Sequence, residues 1–316
     1  MDIGLCMTVK DEANTIDGCL ADIYDLFAEI VVFDTGSTDG TVERLADRFD
    51  IEALPRAIHR EQCNSVAPVR NEGYSRLSTP WILCLDADER ISRDDLKKVL
   101  EWPNDGGPSG FFSAWVTVMP NGYVIEDYKL SLFRKGFNKC GLVHENIQPS
   151  IREAGAAAEW TDAFEILHRP EQPKLNHKNE YYSWRLDQAI GMQPDWVRYY
   201  WFRGILHERM GDHDQARSDF TKALASRSQV FPVECLNAAM ALAGLQAHEG
   251  DRIGALKTID DALTFHHQVA DDFEVAVNFR LKPWFERTLA HLESGMLDHV
   301  VPYDFAHGRP ARGQPS

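Results

Sequence analysis

Short apolar runs alternate with helical-period segments through the first half of the chain. "IGLCMTV", "EIVVFD" and "WILCLD" read as buried strands, each a brief aliphatic run ending in polar residues. Between the first two, "IDGCLADIYDLF" sets Ile16, Leu20, Ile23 and Phe27 at helical spacing. "VERLADRF" carries Val42, Leu45, Ala46 and Phe49 on one face, and "RNEGYSRLS" predicts a helix leading into the third strand. Ser92, with Asp95 three residues on, forms a capping pattern for "RDDLKKVLEW". "FFSAWVTVMPNGYVIEDYKLSLF" predicts a hairpin turning at Pro120, Asn121 and Gly122. This βαβα order predicts an α/β fold with a mainly parallel sheet and right-handed crossovers.

The pattern changes after "RPEQPKLNHKN" (169–179), which reads as a linker. From Glu180 onward it is helical throughout. "GDHDQARSDFTKAL" and "GDRIGALKTIDDAL" match at a 39-residue offset that pairs Gly211 with Gly250, Asp212 with Asp251, Ala216 with Ala255 and Ala223 with Ala262. Small residues at fixed offsets let paired helices approach closely, which is the tetratricopeptide design. Its usual period is about 34, so roughly five extra residues are expected around "SRSQVFPVE". "DDFEVAVNFRLKPWFERTLAHLESG" predicts a capping helix, bent or interrupted at Pro283. Trp196, Tyr199, Tyr200, Trp201 and Phe202 cannot share one helix face, so some should be exposed or pack on the first domain. The expected organisation is an α/β domain over 1–170, a helical domain over 180–295 and a flexible tail over 296–316.

Composition narrows the function. At 316 residues and 44% hydrophobic, the chain can build two packed domains. A formal charge of −16 argues against nucleic acid, whose phosphates require a basic surface. No apolar run approaches a membrane span, and "MDIGLCMTVK" reads as a strand, not a signal peptide. The six cysteines are scattered without a C-x-x-C pair, which fits a reducing, cytoplasmic setting.

Open α/β sheets bind ligands at the carboxyl ends of their strands. Here those ends carry "KDE" (10–12), "DTGSTDG" (34–40) and "DAD" (86–88). If the strand stays extended, Asp86 and Asp88 project to one face, where they repel unless a cation or proton intervenes. That leaves a divalent metal site or a merely tolerated strand end. Asp34 reads equally as a turn-former, and Asp39 as a helix-start residue. With neither a P-loop nor a dinucleotide fingerprint, a bound diphosphate would need neutralising another way, which carboxylate-held Mg²⁺ or Mn²⁺ does.

"GLCMTVKDEANTIDGCL", "EIVVFDTGSTDGT", "VRNEGYSRLSTPWILCLDADE" and "GLVHE" together resemble a family 2 glycosyltransferase of GT-A fold, in the branch followed by tetratricopeptide helices. The resemblance implies inverting sugar transfer from a nucleotide diphosphate, often a UDP-sugar. It implies that Asp34 contacts the base or ribose with Glu12 and Arg70 nearby, that Asp86 binds the ribose or donor sugar, and that Asp88 holds the metal. Asp11 departs from the family, which usually has asparagine there. Such a transfer needs a base for the acceptor's proton and charge stabilisation on the departing diphosphate. Glu145 is the first candidate base, because the resemblance includes the His-Glu pair, and Asp127 in "IEDY" is the second. Arg134 is the candidate for the leaving group, and His144 and His168 compete as a further metal ligand.

The acceptor class stays open among glycan, peptide and protein. Two other readings compete: a nucleotidyltransferase, and a tetratricopeptide scaffold carrying a degenerate sugar-nucleotide domain. The first lacks the expected phosphate loop, and the intact Asp34, Asp86, Asp88 and Glu145 count against the second.

Overall fold

The computed structural model describes residues 1–171, 178–278 and 281–297. The chain divides into two compact units, the first running to His177 and the second opening at Lys178. Most of the predicted linker and the tail beyond residue 297 lie outside the described residues.

In the first unit, eight strands form one sheet: β1 (Ile3–Val9), β2 (Glu29–Asp34), β3 (Ala53–Pro55), β4 (Trp81–Cys84), β5 (Glu89–Arg90), β6 (Gly110–Val118), β7 (Val124–Arg134) and β8 (Ala158–His168). Their spatial order is β3-β2-β1-β4-β7-β6-β8-β5. The first four of these positions run parallel, and β7 enters antiparallel between β4 and β6. The predicted hairpin is β6–β7, closed by Met119 N–H to the Tyr123 carbonyl at 2.8 Å. Five helices accompany the sheet: α1 (Ile16–Leu20), α2 (Thr41–Phe49), α3 (Ala67–Arg76), α4 (Arg93–Leu100) and α5 (Gln148–Glu153). Ser92 caps α4 as expected, its hydroxyl accepting Asp95 N–H at 3.0 Å.

Three local expectations are corrected. The first helix is shorter than its spacing predicts: Gly18 weakens it, and the backbone leaves the helical region at Ile23 (φ −132°). Ile16, Leu20 and Ile23 are nevertheless fully buried. On α2, Leu45 and Phe49 are buried with Thr41, while Ala46 faces solvent. The third correction matters most for the site: β4 stops at Cys84 and does not stay extended to Asp88. A turn follows, with Glu89 N–H donating to the Asp86 carbonyl at 2.9 Å. Asp86 and Asp88 are therefore not two points on one extended face.

In the second unit, α6 (Lys178–Met192) precedes two helix pairs, α7 (Val197–Arg209) with α8 (His213–Ala225) and α9 (Pro232–His248) with α10 (Arg252–Val269). The pairs repeat in atomic detail. Gly211 and Gly250 both take positive φ, at 78° and 82°. Asp212 and Asp251 each accept the backbone N–H three residues on, capping α8 and α10. Ala216, Ala223, Ala255 and Ala262 are all fully buried. Around "SRSQVFPVE", residues 226–231 join α8 to α9, and α9 at 17 residues is longer than α7 at 13.

Beyond α10, α11 (Phe273–Val277) ends at Asn278, ahead of Pro283. Pro283 itself sits in the first turn of α12 (Leu281–Glu293), where a missing N–H costs nothing. Tyr199, Tyr200 and Trp201 are buried and Trp196 and Phe202 partly so, and all but Tyr199 belong to the helical unit's own core. The Tyr200 hydroxyl donates to the Pro194 carbonyl at 2.9 Å, and Trp196 packs edge-on against Phe231.

In the first unit, Gly73 lets α3 lie close on the sheet: a Cβ there would come within 2.5 Å of Cys6 Sγ and 3.2 Å of Phe33. Gly73→Ala is expected to destabilise the first unit by about 1–3 kcal/mol through overpacking, read as a lower urea midpoint with an unchanged slope.

Candidate active site

The carboxyl ends of β1, β2 and β4 lie side by side, with Val9 in register with Asp34 and Cys6 with Cys84. The loops after β1 and β2 are laced together. Asp11 Oδ1 accepts Thr38 N–H at 2.8 Å, Ser37 Oγ accepts Asp11 N–H at 2.9 Å, and Asp39 Oδ2 accepts Ala13 N–H at 2.9 Å. Asp11 has left-handed backbone (φ 52°), a conformation that Asn and Asp tolerate best. Its side chain needs only an acceptor oxygen there, which asparagine also supplies, so the departure at this position preserves the loop.

Asp34 is buried and folds back on its own turn, accepting Gly36 N–H at 3.0 Å and Ser37 N–H at 3.1 Å. The Glu12 carboxylate accepts the Thr15 hydroxyl at 2.5 Å. Asp39 starts α2, accepting Thr41 N–H at 3.1 Å.

The turn after β4 is organised by Glu89, which sequence reasoning missed. Its side chain is fully buried. Oε2 accepts Asp86 N–H at 3.0 Å, while Oε1 accepts Lys129 Nζ at 2.5 Å and Trp115 Nε1 at 2.7 Å. Lys129, on β7, also lies 3.4 Å from Asp86 Oδ2. Arg70, on α3, closes on Asp86 from the other side through Nη2. Burial pushes the Asp86 carboxyl up, but the charges of Arg70, Lys129 and Lys139 outweigh it and hold it well below the usual carboxylate range. Burial likewise opposes charge on Lys129, and Glu89 and Asp86 outweigh it and push its ammonium up.

Asp88 lies apart from this chain of charges. The two-residue β5 pairs with the end of β8, setting Glu89 against His168 and bringing Asp88 Oδ2 within 3.3 Å of His168 Nε2. The Asp88 carbonyl also accepts Arg169 N–H at 2.8 Å. Thr117 Oγ1 lies 2.9 Å from His168 Nδ1, and Trp115 stacks on the imidazole at 4.6 Å. The ring is thus oriented from three sides.

Other candidates fall elsewhere. Glu145 reaches the start of α3, its Oε1 accepting the Ser65 hydroxyl and Val66 N–H, each at 3.0 Å. It follows His144, whose backbone is left-handed (φ 52°), in a loop closed by paired hydrogen bonds between Cys140 and Asn146. Asp127 is exposed on β7, in register with Trp115. Arg134 is not brought to this end of the sheet. It stands opposite Trp81 at the start of β4, donates to the carbonyls of Asn104, Gly106 and Pro108, and stacks on Trp81 at 4.4 Å.

A divalent cation is tested by the donor set. Among the described residues, no three His, Cys, Asp or Glu side chains form a cage. The oriented Asp88–His168 pair fits a cation whose remaining positions are filled by phosphate oxygens and water, the usual habit of Mg²⁺ beside a phosphorylated ligand.

A mainly parallel sheet with acidic residues gathered at the carboxyl ends of its strands defines an α/β protein of the kind that binds ligands at that edge. Residues 5–164 match the glycosyl transferase family 2 model, and the chain belongs to that family. It is an enzyme of the glycosyltransferase class, and membership implies a nucleotide-sugar donor and an acceptor.

The chain is 26% identical over 255 residues to the lipopolysaccharide core biosynthesis glycosyltransferase LpsC of Rhizobium meliloti, covering 75% of this chain and 88% of that one. It is 34% identical over 104 residues to a TPR repeat-containing protein of Synechococcus elongatus, covering 32% of this chain and only 25% of that relative. Among solved structures, Staphylococcus aureus TarS aligns over 84% of this chain and 55% of its own, with a TM-score of 0.45 and 10% identity. The helical unit is tetratricopeptide-like. No helix among the described residues is long and apolar enough to cross a membrane.

Two outcomes are expected. Lys129→Met strands the buried Glu89 charge and should cost about 3–5 kcal/mol, the penalty for breaking a buried pair, with partial recovery in the Lys129→Met/Glu89→Gln double variant. Because the Asp86 carboxyl is depressed in the folded protein, its contribution to stability is complete above the unfolded pKa of about 3.9 and is lost as pH falls. Denaturation midpoints measured from pH 7 to pH 2 should therefore fall less steeply for Asp86→Asn than for the wild type.

Proposed function

We propose that the protein transfers a sugar from a nucleoside diphosphate donor, a UDP-sugar in the first instance, to an acceptor nucleophile with inversion. The single observation carrying this reading is the Asp88–His168 pair, whose donor atoms lie 3.3 Å apart at the carboxyl edge of the sheet. These residues would hold a divalent cation, which supplies neutralisation of the donor's two phosphates when bound. Glu12, Asp34 and Arg70 form the nucleotide-facing group, and Asp86 contacts the ribose or donor sugar. Glu12 and Asp86 follow the ends of β1 and β4, Asp34 ends β2, and Arg70 reaches Asp86 from α3, which supports that assignment.

Glu145 is the proposed base. Its Ser65 and Val66 hydrogen bonds hold one carboxylate oxygen in place at the start of α3, which fixes the group that would take the acceptor's proton. Asp127 is the alternative, exposed on the same strand as Lys129 and two residues away from it. The helical unit is proposed to select the acceptor, since its paired helices form the kind of surface that binds extended partners.

Asp88→Ala should remove the Mn²⁺-dependent increment in UDP-sugar affinity, measured calorimetrically, and leave the fold intact. Equal affinity in variant and wild type, with Mn²⁺ present, would contradict the metal assignment. Glu145→Gln should keep donor affinity and lower turnover by about two to four powers of ten, the size of a general-base contribution. Turnover within about tenfold of wild type, below that range, moves the base to Asp127.

A further inference from the structure

The transfer proposed above leaves negative charge on a departing diphosphate, and Arg134, the cation expected to meet it, has its guanidinium committed to three backbone carbonyls beside Trp81. Two lysines sit nearer the carboxylates. Lys129 is already matched by Glu89 and Asp86. Lys139 differs: among the described residues its ammonium makes no hydrogen bond or ion pair, although the side chain is half-buried.

Its backbone is held firmly. Asn71 of α3 brackets residue 139, with Nδ2 donating to the Lys139 carbonyl at 2.9 Å and Oδ1 accepting Lys139 N–H at 2.8 Å. The next residue, Cys140, closes the loop to Asn146. At the other end of that loop, Glu145 is fastened to the start of the same helix. Arg70, beside Asn71 in sequence, reaches Asp86. One helix therefore sets Lys139, Arg70 and Glu145 in fixed relation.

We propose that Lys139 is the cation that binds the donor's diphosphate and stabilises the nucleoside diphosphate as it leaves. The inference rests on the glycosyl-transfer reading above. The field at Lys139 supports it. Burial first, and then the neighbouring charge of Arg70, push its ammonium down, with Lys129 adding to the effect. Cys84 and then Asp86 act in the other direction, and Asp86 is already paired with both Arg70 and Lys129. A cation held there with no anion of its own has an ionic partner only when an anionic ligand arrives. When the bond between the sugar's anomeric carbon and the diphosphate oxygen breaks, the electron pair stays on that oxygen. The acceptor forms the new bond to carbon, and its proton passes to Glu145. A preorganised ammonium facing the phosphates stabilises the charge as it develops.

The test compares Lys139→Met and Lys139→Arg with wild type, titrating UDP with Mn²⁺, and uridine alone, and measuring turnover. Lys139→Met should bind UDP about ten- to a hundredfold more weakly, as for loss of a charged hydrogen bond. Uridine affinity and thermal midpoint should not fall, and turnover should drop at least as far as UDP affinity. Lys139→Arg should recover most of both. UDP affinity within twofold of wild type for Lys139→Met overturns the proposal, as does a change confined to acceptor KM, which would turn the ammonium toward the acceptor. A wild type that binds none of UDP, GDP, ADP or CDP overturns the glycosyl-transfer reading itself, and this inference with it.

Discussion

A carboxylate sealed from water must be matched by charge and hydrogen bonds, because an unmatched one costs several kcal/mol. Glu89 is such a group, and much of the first unit's geometry follows from how it is satisfied. Its demand for Asp86 N–H bends the chain out of β4. Its demand for a cation draws Lys129 across from β7. Its bond to the Trp115 indole fixes the ring that stacks on His168. The short β5 that Glu89 begins is also what sets Asp88 beside that histidine.

The two aspartates of the D-x-D stretch consequently live in different surroundings. Asp86 is compensated by protein cations, Arg70 on one side and Lys129 on the other. Asp88 faces a single imidazole, oriented by Thr117 and Trp115. Repulsion between like charges, the puzzle posed by the bare sequence, is thus relieved by giving each carboxylate its own partner. A cation shared by both is not required. These different partners match the division of labour proposed above, with Asp86 toward the substrate and Asp88 toward the metal.

Much of this was legible in the residues. Buried strands, the hairpin, the Ser92 cap and the paired caps at Asp212 and Asp251 are all local signals, set by short-range sterics and hydrogen bonding. The acidic strand ends were visible for the same reason. What escaped were consequences of long-range contact. Glu89 looked like one more acid after "DAD", and only the approach of β7, 40 residues on, reveals it as a buried hub. Lys129 and Lys139 carried no motif; the one available signal was a lone cation within an otherwise apolar-to-neutral strand stretch, "YKLSLF". Arg134 failed in the opposite sense. Strand direction decides which end of the sheet a residue reaches, and β7 runs antiparallel to β4, carrying Arg134 back to Trp81. In the helical half, matched glycines and alanines marked the repeat, but no local signal marked the greater length of α9 over α7.

The most direct test is a crystal structure with UDP and Mn²⁺, collected with anomalous scattering from the metal. The account predicts one strong anomalous peak coordinated by Asp88 and His168 Nε2, with the diphosphate beside it at the carboxyl ends of β1, β2 and β4. A metal peak elsewhere, or a nucleotide bound away from this edge of the sheet, would contradict it.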